Sequence, residues 1–197
     1  MKFNKITTAL IFTAGLATFG AQAASEPSQG SGKITFTGSI IEAACSINPD
    51  STNQEIDLGQ IAKSQLKGNG QSTPRNFDIL LENCSFEEEG STVPDGEDGT
   101  RALVGNTVKI TFGGSPAAGT NGAINTLLGI TGTAKGAGVA ITDGSGTVIE
   151  LNKESNGREL INGDNTLNFS AYLQGIDDAS LATGEFTAVT NFTLSYM

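Results

Sequence analysis

An antiparallel all-β sandwich or barrel is the architecture this sequence predicts, and three observations predict it. Apolar and polar residues alternate with period two in many short runs, the pattern of strands with one buried face. Between runs lie Asn121-Gly122, Asp143-Gly144, Asn156-Gly157 and Asn162-Gly163, pairs that accept the positive φ of tight hairpin turns. Beyond the N-terminal segment no stretch supports a long amphipathic helix, and short strands separated by turn signals indicate this class.

The first 23 residues read as a secretory signal, with Lys2 and Lys5 at the basic end, an apolar run from Ala9 to Phe19 and a small-residue cleavage site at Ala21-Gln22-Ala23. The apolar run is too short to span a bilayer. The mature chain is then expected to start at Ala24 and to form one domain with a single core. The signal takes two lysines with it, leaving nine basic against 21 acidic groups. That balance argues against nucleic acid and anionic lipid as partners.

From Lys33 to Cys45, Ile34, Phe36 and Ile40 fall on one side of an alternating pattern and Thr35, Thr37 and Ser39 on the other. Gly38 sits on the apolar side, where a glycine marks close approach by another backbone. This segment follows a flexible stretch, Ser25 to Gly32, and a tethered strand can pair with its own domain or with another molecule's.

Asn48-Pro49-Asp50-Ser51 predicts a turn, Glu55 to Gly59 a short alternating run, and Ile61 to Leu66 one helical turn within a polar segment closed by Pro74. Phe77, Ile79 and Leu81 then alternate in a strand that delivers Cys84 to the neighbourhood of Cys45. Two cysteines in an exported chain predict a disulfide. Closing a loop of about 40 residues, it is worth roughly 4 kcal/mol in the chain-entropy account.

Ser85 to Thr100 is acidic, glycine-rich and without periodicity, and reads as an exposed loop. Its carboxylates, among them Glu87, Glu88, Glu89, Asp95, Glu97 and Asp98, lack the ligand spacing of an EF-hand. Further strands are expected at Thr107 to Phe112, Leu127 to Thr131, Gly138 to Thr142, Thr147 to Leu151, Leu167 to Leu173 and Glu185 to Tyr196. The last alternates Phe192, Leu194 and Tyr196 with polar residues almost to the chain end, with no further strand to cover its free edge.

Catalysis finds little support. The chain contains no histidine, which excludes Ser-His-Asp and Cys-His arrangements, and it has neither a Gly-x-Ser-x-Gly elbow nor a phosphate-cradling Gly-rich loop with its lysine. No cofactor and no metal are expected. The Asn-x-Ser/Thr matches at Asn83, Asn168 and Asn191 fall in expected strands and read as chance.

Taken together, Gln29 to Gly38, the run Ala44-Cys45-Ser46-Ile47, Ile56 to Gln60, Glu82-Asn83-Cys84, Gly184 and the penultimate Tyr196 resemble the pilin subunits of bacterial chaperone-usher fimbriae, and within them the major rod subunits of the P-type and related fimbriae. The resemblance is close at both ends of the mature chain and loose from residue 85 to 163.

What the resemblance implies is an incomplete immunoglobulin-like antiparallel β-sandwich completed by a donated strand. It implies a signal peptide at 1–23, an N-terminal donor-strand extension at 24–40 and a pilin domain at 41–197. In the donor strand the implied contacts are Gly32, Ile34, Phe36, Gly38 and Ile40; on the C-terminal groove-edge strand they are Gly184, Phe192, Leu194 and Tyr196. The implied partners are a periplasmic pilus chaperone, an outer-membrane usher and neighbouring pilins, with export through the periplasm to a surface fimbrium that supports adhesion. A minor or tip subunit with direct glycan binding is the alternative. It is disfavoured because such an adhesin carries a receptor-binding domain in place of the donor strand, and this chain has no room for one.

Overall fold

The computed structural model describes residues 32–88 and 103–197. The expected signal peptide and most of the acidic loop lie outside the described residues. Residues 32–40 belong to one unit and Ile41–Met197 to another. Among the described residues no helix is long and apolar enough to cross a membrane.

In chain order the second unit comprises β1 (Ser46–Ile47), α1 (Pro49–Thr52), α2 (Lys63–Leu66), β2 (Arg75–Cys84), β3 (Glu87–Glu88), β4 (Leu103–Val104) and β5 (Thr107–Gly113). There follow β6 (Pro116–Gly119), β7 (Gly122–Gly129), β8 (Thr131–Gly132), β9 (Ala137–Asp143), β10 (Arg158–Glu159), β11 (Gly163–Gly175), β12 (Phe186–Thr187) and β13 (Asn191–Tyr196). The larger sheet runs β1-β2-β11-β9-β7-β6 and a smaller one β10-β5-β13, every pairing antiparallel.

The two sheets meet through aromatic rings. Phe77 of β2 and Phe169 of β11 are register partners whose rings stack at 5.6 Å, and Phe112 of β5 meets Phe169 edge-on at 5.3 Å. Edge-to-face and offset contacts of this kind suit the ring quadrupole and add to the apolar burial. Ile79, Leu81, Val108 and Phe112 are the large side chains most completely removed from water. They project inward at every second residue, as strand geometry requires.

β9 is buried on both faces. Val139 and Ile141 face the main core, and Ala140 packs with Leu127, Ala117 and Tyr172 in a second cluster. The Cys45–Cys84 disulfide forms, and the Ser85 amide donates to the Ala44 carbonyl at 3.0 Å beside it.

Several expectations are corrected. The run Glu55 to Gly59 joins no ladder; it is held by side chains, with Gln54 Nε2 donating to the Asp78 carbonyl and the Gly59 amide to Asp57 Oδ1, each at 2.7 Å. Thr147 to Leu151 buries Ile149 and Leu151 as its alternation demands, but forms an isolated bridge from Val148 to Thr142 in place of a ladder, with the Leu151 amide donating to the Asn125 carbonyl at 2.8 Å. Glu185 to Tyr196 is interrupted at residues 188–190, leaving β12 paired with β8 and β13 with β5.

The turn pairs behave unequally. Gly122 (φ 123°) opens β7 after the turn that joins it to β6, whereas Gly163 (φ 93°) sits at an irregularity in the β11–β2 ladder rather than in a hairpin turn. After β9 the positive φ falls on Gly146 instead of Gly144, because Asp143 Oδ1 accepts from the Ser145 and Thr147 amides at 2.9 Å each and shapes the turn itself. Asn156-Gly157 carries no positive φ. The turn at Asn48 is a capped helical turn: Asn48 Oδ1 accepts from the Asp50 amide at 2.8 Å, and Pro49 occupies the first helical position.

Candidate functional site

An open groove of about 1060 Å³ runs through the Ile41–Met197 unit. One side is formed by Ser51 to Ile61, the stretch that joins no ladder, and the other by residues 182–192. Between them the groove reaches down to Phe77, Ile79, Phe112, Leu128, Ile141 and Leu173. These are residues of β2, β5, β7, β9 and β11, so the lining is the sandwich core itself.

The open side follows from topology. β13 pairs along one edge with β5, with Phe192 opposite Phe112, Leu194 opposite Ile110 and Tyr196 opposite Val108. Among the described residues no strand pairs with its other edge. An unpaired edge beside an apolar trough presents backbone donors and acceptors next to uncovered hydrophobic surface.

The C-terminal residues singled out from sequence divide in two. Phe192 lines the groove, while Leu194 and Tyr196 are half-buried against the main core. Burial pushes the Tyr196 phenol above its ordinary value. Gly184 is not on β13; it lies just before β12 and lines the groove. Its φ is 156°, and a side chain there would press on Thr133 Oγ1 and come within 2.7 Å of the Ala134 nitrogen. A glycine is required by both the backbone angle and the close approach.

Residues 32–40 form no ladder. Ile34, Phe36 and Ile40 are 78%, 89% and 103% exposed, and a Cβ added at Gly32 or Gly38 meets no atom within 4 Å. Three large apolar side chains in one short exposed stretch are costly in water unless something covers them.

The Ser51–Ile61 side of the groove was not anticipated as functional. Its signal was present in the alternation of Ile56 and Leu58, which reads as a strand and yet has no strand beside it. Among the described residues no group of three or more Asp, Glu, Cys or His could hold a metal ion. Most of the acidic loop lies outside those residues.

A β-sandwich with an unpaired edge strand and an open apolar groove beside it defines the class of protein to which the comparisons point. The family described as fimbrial protein matches residues 34–197, and the chain belongs to that family. It is 43% identical to the Fimbria A protein of Serratia marcescens, covering 100% of this chain and 99% of that one. It is 41% identical to the Major MR/P fimbria protein of Proteus mirabilis, again over 100% of this chain and 99% of the other.

Among solved structures, the P pilus rod subunit PapA superposes with a TM-score of 0.62 at 32% identity, covering 79% of this chain and 100% of that one. A subunit from a chaperone-usher pilus structure concerned with rod uncoiling superposes with a TM-score of 0.69 at 30% identity, covering 88% and 100%. The fold is therefore the immunoglobulin-like sandwich of chaperone-usher pilins, and the protein is a structural subunit of a surface fimbria.

Proposed function

We propose that this protein is the major rod subunit of its fimbria and that it polymerises by strand donation, residues 24–40 of one copy filling the groove of the next. The observation that carries this reading is the coexistence of an open apolar groove and a leading segment whose Ile34, Phe36 and Ile40 stand in water. Burying each of those side chains is worth about 1.5 to 3 kcal/mol. Backbone pairing adds hydrogen bonds of about 1 kcal/mol net each. Strand addition to an exposed sheet edge is a general mode of recognition, and β13 offers such an edge.

Every copy gives at one end and receives at the other, so the contact is head-to-tail and generates a filament rather than a closed ring. Before assembly the groove needs a temporary occupant, a role that suits a periplasmic chaperone's strand, with exchange at an outer-membrane usher. Gly38 suits a donor position where backbone lies close over a shallow part of the groove, and Ile40 is placed to begin exchange at one end. Phe192 and Gly184 contribute to the accepting side, and the disulfide braces the root of the extension. The role is structural rather than catalytic: the chain has no histidine, and its groove is apolar in depth. As a shaft component the subunit supports adhesion by carrying a tip away from the cell.

Deletion of Ala24 to Ile40 tests the proposal. The variant is expected to be captured by the chaperone and to fail to extend a fibre, as seen by electron microscopy of sheared surface material. Fibres of ordinary length from that variant refute strand donation.

A further inference from the structure

We propose that Asn156 is a site of spontaneous covalent modification in the folded protein, its side-chain amide lost through a succinimide closed by the backbone nitrogen of Gly157. Asn-Gly occurs four times, beginning at Asn69, Asn121, Asn156 and Asn162. The reaction needs an accessible side-chain amide, a following backbone nitrogen that is not already engaged, and a backbone free to turn. A following glycine meets the last requirement because it has no Cβ to obstruct the approach.

At three of the four pairs the fold bonds one of the two residues or holds the glycine in a ladder. The Gly70 nitrogen donates to the Lys67 carbonyl at 3.1 Å. Gly122 is paired with Gly119 in the ladder that closes the β6–β7 hairpin. Asn162 Oδ1 accepts from the Phe86 amide at 2.7 Å, and Gly163 is paired with Cys84. At the remaining pair both residues are exposed, and among the described residues neither the Asn156 side-chain amide nor the Gly157 nitrogen has a hydrogen-bond partner.

The chemistry balances without an oxidant or a cofactor. The Gly157 nitrogen forms a bond to Asn156 Cγ, and the bond from Cγ to the side-chain nitrogen breaks as ammonia leaves. Water then opens the ring at either carbonyl, giving aspartate or isoaspartate. One water is consumed, one ammonia is released, and a negative charge appears between Glu154 and Glu159.

The position gives the change a structural consequence. Just before it, the Ser155 amide donates to the Ile110 carbonyl at 2.8 Å and Ser155 Oγ accepts from the Ile110 amide at 3.1 Å. Just after it, Arg158 is the register partner of Val108. Isoaspartate lengthens the main chain between two anchors on β5, the strand whose other edge holds β13. The fold thus directs ageing of the protein to the edge of the smaller sheet that lies across β5 from its C-terminal strand.

The test is to age the purified folded protein in mildly alkaline buffer and digest it with trypsin, which releases Glu154–Arg158 because Lys153 and Arg158 bound it. That peptide is expected to gain about one dalton and to become a substrate for an isoaspartyl methyltransferase before the peptides holding Asn69, Asn121 and Asn162 change. Asn156→Gln is expected to hold its mass under the same treatment. In denaturant the four pairs are expected to convert at similar rates, which assigns the selection to the fold. The proposal is overturned if another pair converts first in the folded protein, if Glu154–Arg158 keeps its mass while others change, or if Asn156 leads by the same margin when unfolded.

Discussion

Ile34, Phe36 and Ile40 stand almost fully in water, whereas Phe192, Leu194 and Tyr196, carrying a similar alternation at the other end of the chain, are half-buried. The trailing run is paired with β5 along its whole length, and the leading run is paired with nothing in the described structure. Alternation therefore states that a segment has one face to bury. It does not state in which molecule the burial takes place. The trailing strand answers half of that question itself, keeping one edge on β5 and leaving the other open.

Substitutions that tell the two kinds of apolar side chain apart sharpen this contrast. Phe112→Ala removes a ring that is 1% exposed and joins the sheets, and is expected to cost about 3 to 5 kcal/mol in urea unfolding of the purified chain. A cost near zero would place the burial attributed to the domain elsewhere.

Gly38→Asn comes next. The side chain has open space in the free segment, so the isolated protein should unfold as before. Against a neighbour's groove the added volume is expected to slow strand exchange by about ten-fold, in line with an overpacking cost of roughly 1.4 kcal/mol. Unchanged assembly kinetics would remove the reason for a glycine on the apolar side.

A smaller effect concerns pH. Burial raises the Tyr196 phenol in the folded state, so its protonated form is favoured there. The linked stability is complete below the unfolded value of about 10 and is lost as pH rises through the higher folded value. Tyr196→Phe should therefore weaken the fall of the unfolding midpoint above about pH 10. Identical alkaline profiles would show that the trailing strand does not shield this group.

The smallest effect is expected at the leading end. Phe36→Ala should change stability of the isolated chain by less than about 0.5 kcal/mol, since the ring is 89% exposed, while still impairing assembly. A loss as large as that of Phe112→Ala would erase the distinction between the two ends.

The sequence made the β class legible because Phe77, Ile79 and Leu81, and likewise Leu167, Phe169 and Leu173, keep their period within single strands. It was less informative where one side chain replaces a ladder. Asp143 moved a turn's positive φ onto Gly146, and Gln54 and Asp57 hold the groove-side stretch that reads as a strand. β6 and β10 escaped notice because Pro116–Gly119 and Arg158–Glu159 carry too few residues to show a period. Of the candidate site, Phe192 was legible from the C-terminal alternation and Gly184 from the family resemblance, which also implied a groove, but the side of it lined by Ser51 to Ile61 was not legible. A groove depends on which edges meet across the sandwich, and period-two alternation carries no information about the opposite sheet.

The disulfide also determines how the subunit carries a load. In a fibre built by the proposed strand donation, tension arriving through the leading segment would pass along residues 41–44 to Cys45 and cross the sulfur bridge to Cys84 at the end of β2. From there it spreads along the many rungs shared with β11. The two-rung β1 ladder is bypassed, so a pull on the front of the molecule shears a long strand pair instead of peeling a short one.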